Sequence, residues 1–581
     1  MKTLELFNAV ESKDSNQSVY VSEDGYIIDS NAMWAKEAII DYYKNEKLSG
    51  NDLNKTFHKS WAKIKDSSRF ELYLEQIKHY FSTYGSGFKD EVYIPNEELD
   101  LPDVTLKFKV IKGYTNKKFI QKSLDVLSSG IALKETTLNT LYDFLVNDLE
   151  YTFTGEENVR NKEAIIKIAD DFNVYPDNPV EFLRYIIFKS TSSTLLIKNN
   201  SVIESIKASS FDPSSDFKRF GLDKLSETFN RFKPLFLAYK SKCPSVVNKI
   251  SKLSKKNHKP ITENPLNQAT QRLLTDKDIK WLDNATTFSL FKAILACYNR
   301  GVLKQDHFLY KIRNGKSWYN TKESNVSICL KNLKFIKEYL KKRVDLSDEK
   351  IFIPDNISYG LPTSEKMFVG NVPVGTKISA EKMAVGIYWE NNWGAYDLDL
   401  SGNSIDGKVG WNSMYNQGNG SLMYSGDITS APNGAVEYLY ANKGLTTKTL
   451  INLNVYSGSE KSGYKIIIGS GDSIDKKYMM NPNNLIFEQK TETNQRNNTI
   501  GLILPEDNKQ SFVILESGSG SKRVSTSSSV ELEALVQEYS NPYCLNELFE
   551  FLGAELTNKD DCTIDLSIDN LERDTFINIF K

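Results

Sequence analysis

Asp397 and Asp399, in the run AYDLDLSGNS, stand one residue apart in a glycine-rich part of this 581-residue chain. Alternate side chains share a face in a β-strand, so a strand here would set two carboxylates side by side. Like charges so placed repel unless a cation or hydrogen-bond donors neutralise them. The plainer expectation is that the pair caps turns or accepts backbone hydrogen bonds at a sheet edge, as Asp does routinely. Other reactive types are sparse. The five cysteines (Cys243, Cys297, Cys329, Cys544, Cys562) include no Cys-x-x-Cys, and the four histidines (His58, His79, His258, His307) form no His-Glu-x-x-His pair. Reduced thiols are expected, and structural or hydrolytic zinc chemistry is not. The chain lacks a phosphate-binding Walker loop, a dinucleotide glycine fingerprint and a Gly-x-Ser-x-Gly elbow, so a non-enzymatic protein is expected.

Lysine supplies the second pattern. The formal net charge of −2 hides two opposed blocks: residues 218–259 hold twelve Lys or Arg against two acids, and 530–576 hold twelve acids against two bases. Lys249, Lys252, Lys255, Lys256 and Lys259 are spaced to follow phosphates, with Phe229, Phe232, Phe236 and Tyr239 interleaved for base stacking. The competing expectation is that these aromatics, at helical spacing, build a core. The lysines then form a solvated face or a protein contact, with the acidic block docking within the molecule or on a neighbouring copy.

Glycine spacing shows which elements carry these groups. Residues 117–345 contain five glycines and 386–471 contain fourteen, so the first stretch is expected helical and the second β. Leu138, Leu141, Leu145 and Leu149 make one helical stripe; Phe291, Ile294, Leu295 and Tyr298 a second; Val326, Leu330, Leu333, Ile336 and Leu340 a third. Pro179 before VEFLRYIIF marks a helix start. The predicted order is a segment with a hairpin turning at Asp24-Gly25 (1–30), then a helical subdomain with an extended strand segment (31–116). In that subdomain Phe70, Leu74, Ile77 and Phe81 share a face. An irregular helical-repeat-like array (117–345), a proline-containing connector (346–377), a β-sandwich (378–515), a serine-rich linker (516–529) and an acidic helical C-terminal segment (530–581) follow. The fold class is therefore multidomain α+β.

The β segment resembles the TerD-type domain of the tellurium-resistance and stress-response proteins. The matching pieces are Gly386 to Trp389, then Asp397-Leu398-Asp399 with Ser401, then Ser425-Gly426-Asp427. The resemblance covers about a quarter of the chain, within 378–515, and the helical array has no such match. It implies a β-sandwich whose carboxylates hold calcium. Asp397, Asp399 and Asp427 would be the ligands, and Glu437 would add an oxygen. Calcium takes six to eight oxygens in flexible geometry, which suits such a set. The family's acidic loop is replaced here by ITSAPNGAVE, whose one acid is Glu437. Trp389, Trp393 and Trp411 are expected to pack in the sheets.

Forty per cent hydrophobic and 25 per cent charged residues exclude wholesale disorder. No apolar run approaches the 18 residues a membrane-spanning helix needs, and MKTLELFNAVESKDS lacks the apolar stretch of a secretory leader. A cytoplasmic scaffold without membrane contact is expected. Its TerD-like domain would bind calcium or a protein partner in a stress response. The alternatives are a self-associating assembly component, of a phage or other particle for instance, and an RNA-binding helical array.

Overall fold

Helices dominate the N-terminal part of the chain and strands the C-terminal part, giving a mixed α+β protein. The computed structural model describes residues 2–55 except 24 and 45, then 67–68, 70–72, 74, 77, 108–256, 265–311, 317–321, 323–417, 420–470, 480–519 and 529–581. Near the N-terminus, Tyr20–Val21 pairs antiparallel with Tyr26–Ile28 as the hairpin pattern predicts, with Gly25 at φ +86° in the turn. Tyr26–Ile28 and Ala9–Glu11 both run parallel to Lys109–Tyr114. Phe70, Leu74 and Ile77 are helical but exposed, whereas Leu72 is buried; Phe81 lies outside the described residues.

After three short N-terminal helices (Lys2–Phe7, Lys36–Tyr43 and Gly50–Leu53), the helices of the central part are α1 (Asn116–Ser128), α2 (Glu135–Asp143), α3 (Lys162–Phe172), α4 (Pro179–Thr191), α5 (Asn200–Ala208), α6 (Ser214–Phe220), α7 (Leu222–Phe229) and α8 (Lys233–Ala238). They continue with α9 (Pro244–Lys256), α10 (Pro265–Gln271), α11 (Ile279–Asn284), α12 (Thr287–Gly301) and α13 (Val326–Arg343). Short polar side chains start several of them. Thr115, Asn161, Asn178, Asn199, Thr286 and Asn325 each accept an N–H of the first turn, and Pro179 takes the first position of α4. Leu138, Leu141 and Leu145 are buried, although the chain passes into a π-turn at Phe144–Asp148. In α13 Ile336 and Leu340 are buried, while Cys329 takes the inward place and Leu330 faces solvent.

Two cores serve helices α1–α13, and a third, small one holds Leu4, Ile39 and Tyr43 of the N-terminal segment. Phe182, Phe217, Phe229, Phe236, Tyr239 and Ile250, drawn from α4 and α6–α9, share one. Helices α1, α2, α12 and α13 bury their apolar faces in a larger core continuous with the sheets.

Two antiparallel sheets make up the β part. Their strands are β1 (Ile357–Ser358), β2 (Lys377–Ala380), β3 (Met383–Trp389), β4 (Ala395–Ser404), β5 (Gly407–Gly410), β6 (Leu422–Tyr424) and β7 (Ala435–Ala441). They are completed by β8 (Thr449–Gly458), β9 (Gly463–Ser470), β10 (Leu485–Glu492), β11 (Asn497–Pro505) and β12 (Gln510–Ser519). One sheet runs β5-β4-β8-β11-β12-β2-β1 and the other β6-β7-β3-β9-β10. They face each other closely at Gly402, where a Cβ would lie 3.1 Å from Leu422 and 3.5 Å from Leu439 of the opposite sheet. Trp389 is fully buried, and Trp393 and Trp411 pack partly buried against the same core.

The N-terminal segment straps this β part. Val436 N donates to Lys55 O (2.7 Å) and Tyr438 Oη to Leu53 O (2.6 Å). Asn54 accepts from Met480 N (2.7 Å) and donates to Met480 O (3.0 Å).

The segment 346–377 carries four short strands rather than bare connecting chain: Lys350–Phe352, β1, Phe368–Val369 and Val372–Pro373. Strand β12 runs to Ser519, so the serine-rich stretch begins inside a sheet; 520–528 lie outside the described residues. The C-terminal segment adds α14 (Ser529–Tyr539), α15 (Leu545–Leu552) and α16 (Thr575–Ile579). It also supplies two short strands, Glu555–Leu556 and Ile564–Asp565, which flank Lys350–Phe352 in parallel. Arg573 pairs with Glu365 (2.8 Å) and Lys122 with Asp574 (2.6 Å), fastening the C-terminus to the helices.

Candidate metal centre

Strand β4 places two of the carboxylates. Its pairing with β8 is irregular around Asp397, where two register shifts mark a bulge. A bulge bends the strand and re-aims the side chains beside it. Asp399 lies opposite Asn454 on β8. The third carboxylate, Asp427, comes from the turn between β6 and β7. One oxygen from each of Asp397, Asp399 and Asp427 can be chosen so that all three lie within 4.8 Å of one another. All three residues are buried, at 0%, 2% and 1% exposure. Both oxygens of Asp397 are buried without a hydrogen-bond partner among the described residues. Asp399 Oδ2 accepts from Asn454 Nδ2 (3.0 Å).

Glu437 stands beside the triad in a different role. From β7 its Oε2 accepts the N–H of Leu400 (2.8 Å) on β4, and its Oε1 that of Ile428 (3.0 Å) in the turn carrying Asp427. The side chain thus ties the two sheets and the Asp427 turn together, each oxygen taking a backbone donor.

The field in this space is strongly negative. Burial pushes the Asp397 carboxyl well above the usual carboxylate range, and Asp399 and Asp427 push it further. Asp399 is raised by burial and by Asp427, against the opposing hydrogen bond from Asn454 and the charge of Lys408. Glu437 is raised by burial, then by Asp427 and Asp399, with its two backbone donors opposing. Lys408 on β5 is itself lowered by burial while Asp399 pulls it up. Two tyrosines close the surroundings. Tyr415 and Tyr424 pack with ring centroids 5.3 Å apart, and burial raises both phenols, with Asp427, Glu437 and Asp399 adding to it.

This donor set fits a hard cation. Oxygens bound at about 2.3–2.6 Å on opposite sides of one calcium ion sit about 5 Å apart, which matches the triad's spread. Without a cation, two charges at that spacing repel by about 3 kcal/mol per pair at an effective dielectric near 20, which together with burial favours the protonated carboxyl at Asp397 and Asp399.

The basic block is placed differently. Lys249, Lys252, Lys255 and Lys256 lie exposed on α9, and Lys259 lies outside the described residues. Phe229, Phe232, Phe236 and Tyr239, the candidates for base stacking, are buried in the helical core. Asn454, Lys408, Tyr415 and Tyr424 were not singled out in the sequence. The alternation Asn452-Leu453-Asn454 carried a signal for the first, since it puts polar groups on one strand face. Tyr415 reaches the site from a turn and Tyr424 from the end of β6, and no local pattern reveals that the two meet there.

Comparisons with protein-family models, with curated proteins and with solved structures find no match for this chain.

Proposed function

We propose that this protein is a non-enzymatic scaffold whose β part binds calcium at Asp397, Asp399 and Asp427. In this reading the two sheets are a TerD-like β-sandwich carried by an irregular helical-repeat-like array. The observation that carries it is the convergence of three buried carboxylates from two separate elements, one of them with no protein donor among the described residues. Buried charges persist only when paired or bound to metal, and with no hydrogen-bond donor at either Asp397 oxygen among the described residues, an ion or a proton is what neutralises it. Glu437 acts as a brace, since its oxygens already take two backbone N–H groups. A cation would join β4 to the Asp427 turn, stabilising the folded state by an amount that grows with the logarithm of its concentration over the dissociation constant. The bound form would then present ordered turns to a protein partner, in keeping with a cytoplasmic stress-response role.

Isothermal titration with calcium tests the reading, with Asp399→Asn as control. Saturable heat and a raised melting temperature in the wild type, both lost in the variant, are expected. No heat and no melting shift at millimolar calcium would remove the metal.

A further inference from the structure

We propose that the exposed lysine face of α9 docks onto the acidic C-terminal surface of a second copy of this chain, joining copies head to tail. The proposal is independent of the cation site. Helix α9 is two-sided: Val246, Val247 and Ile250 face the helical core, whereas Lys249, Lys252, Lys255 and Lys256 are all exposed. Lys249, Lys252 and Lys256, at i, i+3 and i+7, form one continuous row. None of the four makes an ion pair among the described residues. Exposed Lys218, Lys224, Lys233 and Lys240 on or beside α6–α8 extend the same sign of charge.

The complementary surface belongs to the other core. Glu547 and Glu550 project from α15 into solvent, and Asp560 and Asp561 are exposed beyond it. Ion pairs of 529–581 reach Lys122, Lys350, Asp125 and Glu365, and Lys559 within that segment. None of these six goes to 218–256. Among the described residues, two patches of opposite charge therefore leave each other unanswered within one chain, and a second copy supplies the answer. The two patches differ, so the contact is heterologous and continues as an open chain or closes as a ring. Nucleic acid is the other polyanion that fits a lysine face. The structure favours protein because the aromatic residues that would stack on bases are inside the helical core.

Light scattering and sedimentation of the full chain across a salt series test this. Association at 25 mM salt that weakens about tenfold or more by 300 mM is expected, because exposed charges are screened over that range. Two variants sharpen the test: Lys249→Glu/Lys252→Glu/Lys255→Glu/Lys256→Glu, and Glu547→Lys/Glu550→Lys/Asp560→Lys/Asp561→Lys. With circular dichroism confirming that each folds, each alone should be monomeric. Mixed together they should associate again, since each retains the patch the other has lost and the reversed patches also carry opposite charge. A wild type monomeric at low salt, or oligomers surviving in both variants, overturns the proposal. So does a lysine variant that loses affinity for a single-stranded RNA oligonucleotide with self-association unchanged.

Discussion

Asp399→Asn separates a metal ligand from an ordinary buried hydrogen-bonding residue. Asparagine keeps an oxygen able to accept from Asn454 Nδ2, so the local bond at 3.0 Å survives while one charge disappears. In the metal-free protein that charge faces Asp397 and Asp427 within 4.8 Å. Each ionised pair costs about 3 kcal/mol at an effective dielectric near 20, and proton uptake absorbs most of this. The sign of the pH dependence follows. Asp397 and Asp399 are raised above their ordinary range when folded, so their stabilising share is present at low pH and fades as pH rises through the folded values. The fall is about 1.4 kcal/mol per pH unit for each proton that the folded state keeps and the unfolded state releases. Without calcium, Asp399→Asn should therefore melt above the wild type at pH 8, with the gap narrowing toward pH 5. With calcium at a hundred times its dissociation constant, the wild type gains about 2.7 kcal/mol and the variant gains less, so the gap at pH 8 shrinks. Differential scanning calorimetry at both pH values, with calcium and with chelator, reads all four conditions. A variant less stable than wild type in every one would refute the reasoning, because it would make Asp399 a structural acceptor and nothing more.

Three other outcomes follow from the geometry. Glu437→Ala should destabilise the protein by about 2–6 kcal/mol whether or not calcium is present, since it orphans two buried backbone donors; denaturant melts with and without chelator check this. Glu488→Ala should cost about 3–5 kcal/mol and expose residues 46–55 to protease, because Glu488 pairs with buried Lys465 (2.6 Å) and accepts the Leu48 N–H (2.9 Å). Limited proteolysis with mass spectrometry reads the cleavage sites. Native protein should react quickly with a thiol reagent only at the partly exposed Cys544 and Cys562. In denaturant all five should react, Cys243, Cys297 and Cys329 being buried.

Periodicity and glycine distribution made the helical and β halves legible, because an amphipathic helix and a glycine-punctuated strand each write their period into adjacent residues. The cap at Asn178-Pro179 and the hairpin at Gly25 were local signals of the same kind. What local pattern cannot carry is which core a face joins. Phe70, Leu74 and Ile77 share a helical face yet are exposed, while α1 and α12 bury theirs in the core they share with the sheets. The strands Glu555–Leu556 and Ile564–Asp565 pair with Lys350–Phe352, more than 190 residues away, which no local window contains. At the candidate site, Asp397 and Asp399 followed from strand alternation, and Asp427 from the resemblance. The bracing role of Glu437 depends on how closely β7 approaches β4 across the sheets, a tertiary distance that one strand's sequence does not encode.

An anomalous difference map from crystals grown in millimolar calcium bears most directly on the carboxylate triad. The expected result is a single peak about 2.3–2.6 Å from oxygens of Asp397, Asp399 and Asp427, with Glu437 still bound to the Leu400 and Ile428 amides. No peak, with the three carboxylates turned apart onto protein donors, would contradict the assignment of a cation site.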